Sequence, residues 1–171
     1  MQGINLDKPI NYRVASFRYF EKGECHCTRF CEDNVLVMVF SGVLRFSENG
    51  NQIEVKAGEY YIQKKNCNQG GEIPSDSPKY LYVHFNGEWT GEETALYYKG
   101  KFDYSLLSSL MQKLDYASHN NALYSEQHYL FLKLLLSLKE KVEKPSLAQE
   151  MSTFIENNLK SVTSLDGICK Q

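Results

Sequence analysis

The chain lacks any long apolar run. No stretch of its 171 residues reaches the roughly 20 apolar positions that cross a bilayer, so no membrane partner is expected. Residues 1–10 hold no apolar segment of the kind a secretory signal needs, and the expected compartment is the cytoplasm. Basic charge is also scarce. With 19 Lys and Arg against 21 Asp and Glu, the net charge is −2, too little to neutralise a phosphate backbone. This stretch of chain is therefore not expected to bind nucleic acid by itself. Five cysteines, an odd number without a repeated spacing, do not lay out a disulfide framework and fit reduced thiols. Internal repeats and low-complexity tracts are absent too. What is present is a globular composition, 42% hydrophobic and 13% aromatic, with room for one sizeable core and an appendage. Twelve tyrosines in such a chain must line something amphipathic, a pocket or an interface.

Residues 10–98 run in short apolar bursts separated by turn signals, and the spacing predicts strands. Val35 to Phe40 and Val43 to Phe46 are the clearest, returning through an Asn49-Gly50 hairpin into Gln52 to Val55. Gly58 opens Tyr60 to Gln63, Gly70-Gly71 and the segment from Pro74 to Pro78 read as a long loop, and Tyr80 to Phe85 is the last strong strand. Short strands without intervening helices indicate a sandwich or barrel. At residue 103 the period changes. Leu106, Leu107, Leu110, Met111, Leu114 and Ala117 mark one helix face, which His119-Asn120-Asn121 ends. Ser125 is placed to cap a second helix, with Glu126 in its first turn. Apolar residues from Phe131 to Val142 wrap around that helix beyond a single stripe. Burial against both the barrel and a second subunit accounts for this, with Leu134 and Leu138 as first choices for the outward side. Burial wholly within one monomer is the alternative. Residues 143–148 read as a linker, with Pro145 stopping the helix.

Letter by letter, the strand region resembles a cupin barrel. Metal-binding cupins carry a glycine, five residues, His-x-His, three or four residues, a glutamate, six residues and a second glycine. Gly23 and Gly42 stand in register with those glycines, and the ligand positions then fall on Arg29, Cys31 and Val35. Counting from Gly58, the second cupin motif falls on Lys64, Asn66 and Gln69. The turn glycines are kept and the ligands are not. A divalent metal needs several imidazole or carboxylate donors, whereas a guanidinium has no lone pair to give. No metal, no cofactor and no catalysis are expected. Arg29 instead suits an oxygen-rich or anionic small molecule. Cys25-His26-Cys27 with Cys31 lacks the second cysteine pair and the usual spacing of a zinc site, and these read as simple strand residues.

In Tyr80 to Phe85, alternation puts Tyr80, Tyr82 and His84 on one face and Leu81, Val83 and Phe85 on the other. The run resembles the Tyr-x-Tyr/Trp-x-His-Phe segment that closes many sensor barrels of AraC-type transcription regulators. Residues 149–171 resemble the start of that family's DNA-binding region: Met151, Phe154, Ile155 and Asn158, then Ser164, Leu165, Ile168 and Cys169. The resemblance implies four parts: a cupin-like effector-binding barrel with an N-terminal arm over 1–100, a helical dimerisation pair over 101–142, a linker over 143–148, and an incomplete helix-turn-helix start over 149–171. It implies a fold that is mainly β with C-terminal α, a cupin-like jelly-roll barrel followed by an antiparallel helical pair. It further implies a homodimer through 103–142, DNA contact only through a missing C-terminal domain, and a small-molecule effector such as a sugar or sugar acid. Arg29, Val35, Gln69, Tyr80, Tyr82 and His84 are the expected ligand-binding residues, with residues 1–10 as candidates for an arm that closes over the ligand or lets go. A free-standing carbohydrate-binding cupin and a cupin metalloenzyme remain as alternatives.

Overall fold

The structure, a computed structural model, describes residues 2–139. The linker, the end of the helical region and the expected helix-turn-helix start lie outside the described residues.

The fold is mainly β with C-terminal α, as expected. Strand β1 (Gly3–Ile4) and β2 (Asn11–Tyr19) precede β3 (Arg29–Cys31), the long β4 (Asn34–Glu48), β5 (Asn51–Lys56), β6 (Glu59–Gln63), β7 (Cys67–Gly70) and β8 (Asp76–Asn86). Three short strands follow, β9 (Trp89–Thr90), β10 (Leu96–Tyr97) and β11 (Lys99–Lys101), and then the helices α1 (Tyr104–His119) and α2 (Tyr124–Lys139). The hairpin at Asn49-Gly50 forms as the sequence reads: both residues have positive φ, 49° and 84°, and Glu48 pairs with Asn51 across the turn.

β4 organises the barrel. Its first half pairs with β6 on one side and β8 on the other. Its second half pairs with β5 and then β7. Between the halves the register shifts around Gly42, whose φ is +70°. A Cβ there would lie 2.3 Å from the Asp76 carbonyl oxygen, so only glycine lets the strand bend against β8. The continuous apolar run of β4 follows from burial on both faces. Val35, Val37 and Val39 face the barrel interior with Phe46, Tyr61 and Tyr80. Leu36 and Met38 face outward, where with Leu81, Val83 and Phe85 they meet Met111, Leu114, Phe131, Leu134 and Leu135 of the helices.

Several details differ from the sequence reading. Cys25 to Cys27 lie in a loop and not on a strand, and β8 begins at Asp76, so Pro78 is within it. α2 starts at Tyr124, which puts Ser125 in the first turn, while the Glu126 and Gln127 amides bond to the Leu123 carbonyl. Leu134 is fully buried and Leu138 nearly so, both against the barrel of their own chain. The exposed apolar side chains in the body of α2 are Tyr129 and Leu136, with Leu132 between them partly packed against the core. Nor does the N-terminal segment cover the barrel interior. β1 pairs with β9 and β10, and Ile4 and Ile10 are buried in the cluster that holds the helices. Backbone pairing and two buried isoleucines fix it there.

β2 pairs only with β8, leaving one edge open, and the helices close that edge with side chains. The Phe17 amide donates to Asp115 Oδ1 at 2.9 Å, the Ala15 amide to Ser118 Oγ at 3.2 Å, and the Tyr124 hydroxyl to the Tyr12 carbonyl at 3.0 Å. Asp115→Ala leaves the Phe17 amide without its acceptor and should cost about 1–2 kcal/mol in equilibrium denaturation. Asp115→Asn, which keeps an acceptor, should cost less; equal losses would mean that the bond contributes nothing.

Candidate functional site

The inward faces of the strands enclose a cavity of about 520 Å³. Its floor and one wall come from rows of residues paired across β6, β4 and β8. Val35 stands between Gln63 and His84, Val37 between Tyr61 and Tyr82, and Val39 beside Tyr80. Gln63, Val35, His84, Val37, Tyr82 and Tyr80 line the cavity, and the facing wall is Arg18, Phe20, Glu24, Cys25, His26, Cys27 and Arg29. A cavity of this volume holds a molecule of sugar size.

Of the six residues expected from sequence, five line this one cavity: Arg29, Val35, Tyr80, Tyr82 and His84. Gln69 stands behind the wall. It is Arg29's partner in the β3–β7 register, and Arg29 Nε donates to Gln69 Oε1 at 2.9 Å. The other positions of the cupin motifs point elsewhere. Cys31 is buried with its thiol toward the Asp33 carbonyl, and Lys64 lies over the Trp89 ring. Among the described residues, no three His, Cys, Asp or Glu side chains converge as a metal site.

Charge in and around the cavity is uneven. Arg18 pairs with Glu24, and Asp33 is bound by Arg13 and by His84 Nδ1 at 3.3 Å. Arg29 has an amide for a partner and, among the described residues, no carboxylate. Burial opposes ionisation of Asp33, but the bonds from Arg13 and His84 hold its carboxyl below the ordinary range. Burial lowers the pKa of both histidines; the Arg29 charge adds to this, while a bond to the Cys27 carbonyl (His26) or to Asp33 (His84) opposes it. In both histidines the balance favours the neutral imidazole. Burial drives the Tyr80 phenol far above its ordinary value, so it stays a hydrogen-bonding hydroxyl.

His26 and Gln63 escaped the sequence reading. By sequence His26 reads as one of the simple strand residues around Cys25 and Cys27, and Gln63 only closes the run that begins at Tyr60. His26 is 8% exposed, with Nδ1 at 2.8 Å from the Cys27 carbonyl and Nε2 at 3.4 Å from Gln63 Nε2. Gln63 is fully buried, and its Oε1 has no partner. Only the strand register, which pairs Gln63 with Val35, shows which way it faces.

No family model matches the chain, and no curated protein does. Several solved structures are similar to it. ToxT from Vibrio cholerae O395, bound to (E)-4-(8-methylnaphthalen-1-yl)but-3-enoic acid, is 10% identical with a TM-score of 0.44, over 93% of this chain and 70% of that one. A putative ethanolamine utilization protein Q from Salmonella typhimurium LT2 is 18% identical with a TM-score of 0.38, over 46% of this chain and 69% of that one. Oxalate decarboxylase from Bacillus subtilis is 12% identical with a TM-score of 0.38, over 70% of this chain but only 31% of the enzyme. Likenesses at this level carry no argument about function, which rests on the cavity itself.

Proposed function

We propose that the barrel cavity binds a small hydroxyl-rich or anionic molecule, and that the chain is the effector-sensing and dimerising portion of an AraC-type transcription regulator. The observation that carries the first part is Arg29, a cation inside a sugar-sized cavity, held by an amide and facing tyrosine walls. A guanidinium so placed offers its remaining donors to a carboxylate or to adjacent hydroxyls. Tyr80 and Tyr82 supply flat apolar faces with polar tips, which suit a ring bearing hydroxyls. The reading is of a sensor and not a catalyst, because Arg29, Cys31, Val35 and Gln69 stand, counted from the turn glycines, at the sequence positions that resemble those of a metal cupin's ligands.

The regulatory part draws on the order of barrel, helical pair and the Met151 to Cys169 pattern. Dimerisation draws on the outward stripe of α2, where Tyr129 is 61% exposed and Leu136 53%. A ligand shifts such a dimer only by binding its two arrangements with different affinity.

A thermal-shift screen of sugars and sugar acids, followed by calorimetry on each hit, tests the cavity. Arg29→Ala should weaken a hit by about 10- to 150-fold, the equivalent of losing a charge-assisted bond of roughly 1.5–3 kcal/mol. Stability should fall by about 1–3 kcal/mol, because Gln69 Oε1 then loses its donor. Arg29→Lys keeps the charge without the planar fork and should recover only part of the affinity. Unchanged affinity in a folded Arg29→Ala protein removes Arg29 from the site.

A further inference from the structure

Arg29, His26 and Gln63 together specify more than a hydroxyl-rich ligand. The other charged side chains that line the cavity, Arg18 and Glu24, already pair with each other, and Asp33, outside the lining, is bound by Arg13 and His84. A neutral sugar filling the cavity would strip water from the Arg29 guanidinium and return no countercharge. A carboxylate would return one.

The His26–Gln63 pair carries the second half of the argument. A carbonyl only accepts, so His26 Nδ1 holds a hydrogen and donates it to Cys27. In the neutral ring Nε2 is then bare, and it accepts from the Gln63 amide nitrogen, which turns Gln63 Oε1 away and leaves it without a partner in a fully buried side chain. A proton on His26 Nε2 reverses the polarity of this contact and gives Gln63 Oε1 a donor, with the Gln63 NH2 group moving to the place where the oxygen stood. The Gln63 amide turns over, and its oxygen accepts from the imidazolium. The groups facing His26 are the Arg29 charge, the Cys27 carbonyl and thiol, the Phe46 ring and Gln63; none is an anion. The missing anion is the one a ligand would bring.

We infer that the cavity takes a small hydroxy acid of the sugar-acid class as its carboxylate against Arg29, and that His26 gains a proton from solvent as the acid binds, with Gln63 turning to receive it. This rests on the cavity being a ligand site, as proposed above. In the free protein, burial and then the Arg29 charge hold His26 below the ordinary imidazole value, while the Cys27 carbonyl opposes them. A carboxylate on Arg29 cancels that charge and favours the imidazolium.

The test is calorimetry of the whole chain with D-gluconate and with its uncharged counterpart D-glucitol, each in phosphate and in Tris, whose ionisation heats differ. Gluconate should bind at least about tenfold more tightly than glucitol. Its heat should differ between the buffers by an amount that reports proton uptake, and its affinity should rise from about pH 8 to about pH 6. In His26→Gln the preference for the acid should persist while the buffer difference disappears. Glucitol binding as tightly as gluconate would overturn the inference and leave the cavity as a ligand site. A wild-type heat that is the same in both buffers, or a buffer difference that survives in His26→Gln, would remove His26 from it. Binding of neither probe would remove the inference and the reading of the cavity together.

Discussion

Replacing Phe131 with alanine should lower the unfolding free energy by about 3–5 kcal/mol, the range for deleting a buried aromatic ring. Phe131 is the fully buried side chain through which α2 grips the barrel. Its ring centroid lies 5.2 Å from that of Phe85 on β8 and 5.6 Å from that of Tyr12 on β2. The vacated space is bounded by strand on one side and helix on the other, and neither can collapse into it without losing the β2 edge bonds. Urea denaturation followed by Trp89 fluorescence should show the midpoint falling with little change in slope, and the melting temperature should drop by roughly 10 °C. Leu136→Ala, on the exposed stripe of the same helix, provides the control and should move stability by under about 0.5 kcal/mol in the monomer. A loss below about 1 kcal/mol for Phe131→Ala would show that the ring does not fill a packed seam.

Tyr129→Glu combined with Leu136→Lys should convert a dimer into a folded monomer. In a twofold interface each residue is used twice. With two side chains contributing about 1 kcal/mol per copy, the dissociation constant should rise roughly a thousandfold. Sedimentation should find the parent chain dimeric at micromolar concentration and the double variant monomeric, with unchanged helix content. A monomeric parent would end the idea. Leu134→Lys with Leu138→Lys separates interface from core: both side chains are buried against the barrel, so that pair should unfold the protein rather than dissociate it.

Much of the barrel was legible because its signals are local. Asn49-Gly50 forces one turn type, alternation in Tyr80 to Phe85 assigns both faces, and the β4 run announces burial on two sides. The helices were legible in existence and approximate extent, but not in orientation. A leucine at each of 134, 135, 136 and 138 leaves more than one rotation open, and only contact with Phe85 and Leu81 selects which of them turn inward. Arg29, Tyr80, Tyr82 and His84 could be found by counting from glycines and by alternation. His26 and Gln63 could not, because a loop residue has no period, and the facing of a strand end depends on a register set by distant partners. Where the N-terminal segment docks was illegible for a related reason. Nothing within residues 1–10 reveals that Gly3 and Ile4 pair with strands more than eighty positions away.

The bonds that α1 and α2 make to the edge of β2 have a consequence for how the molecule fails. A nine-residue strand with free amides is a template for pairing with another chain, and here Asp115, Ser118 and Tyr124 occupy three of its backbone groups. Those same helices cover the outward face formed by Leu36, Leu81, Val83 and Phe85. One event, the lifting of the helical pair, thus uncovers an unpaired strand edge and a wide apolar sheet face together. The partly opened molecule is suited to stacking with its own copies, so lesions in the helices should surface as aggregation and low yield before loss of ligand binding is noticed.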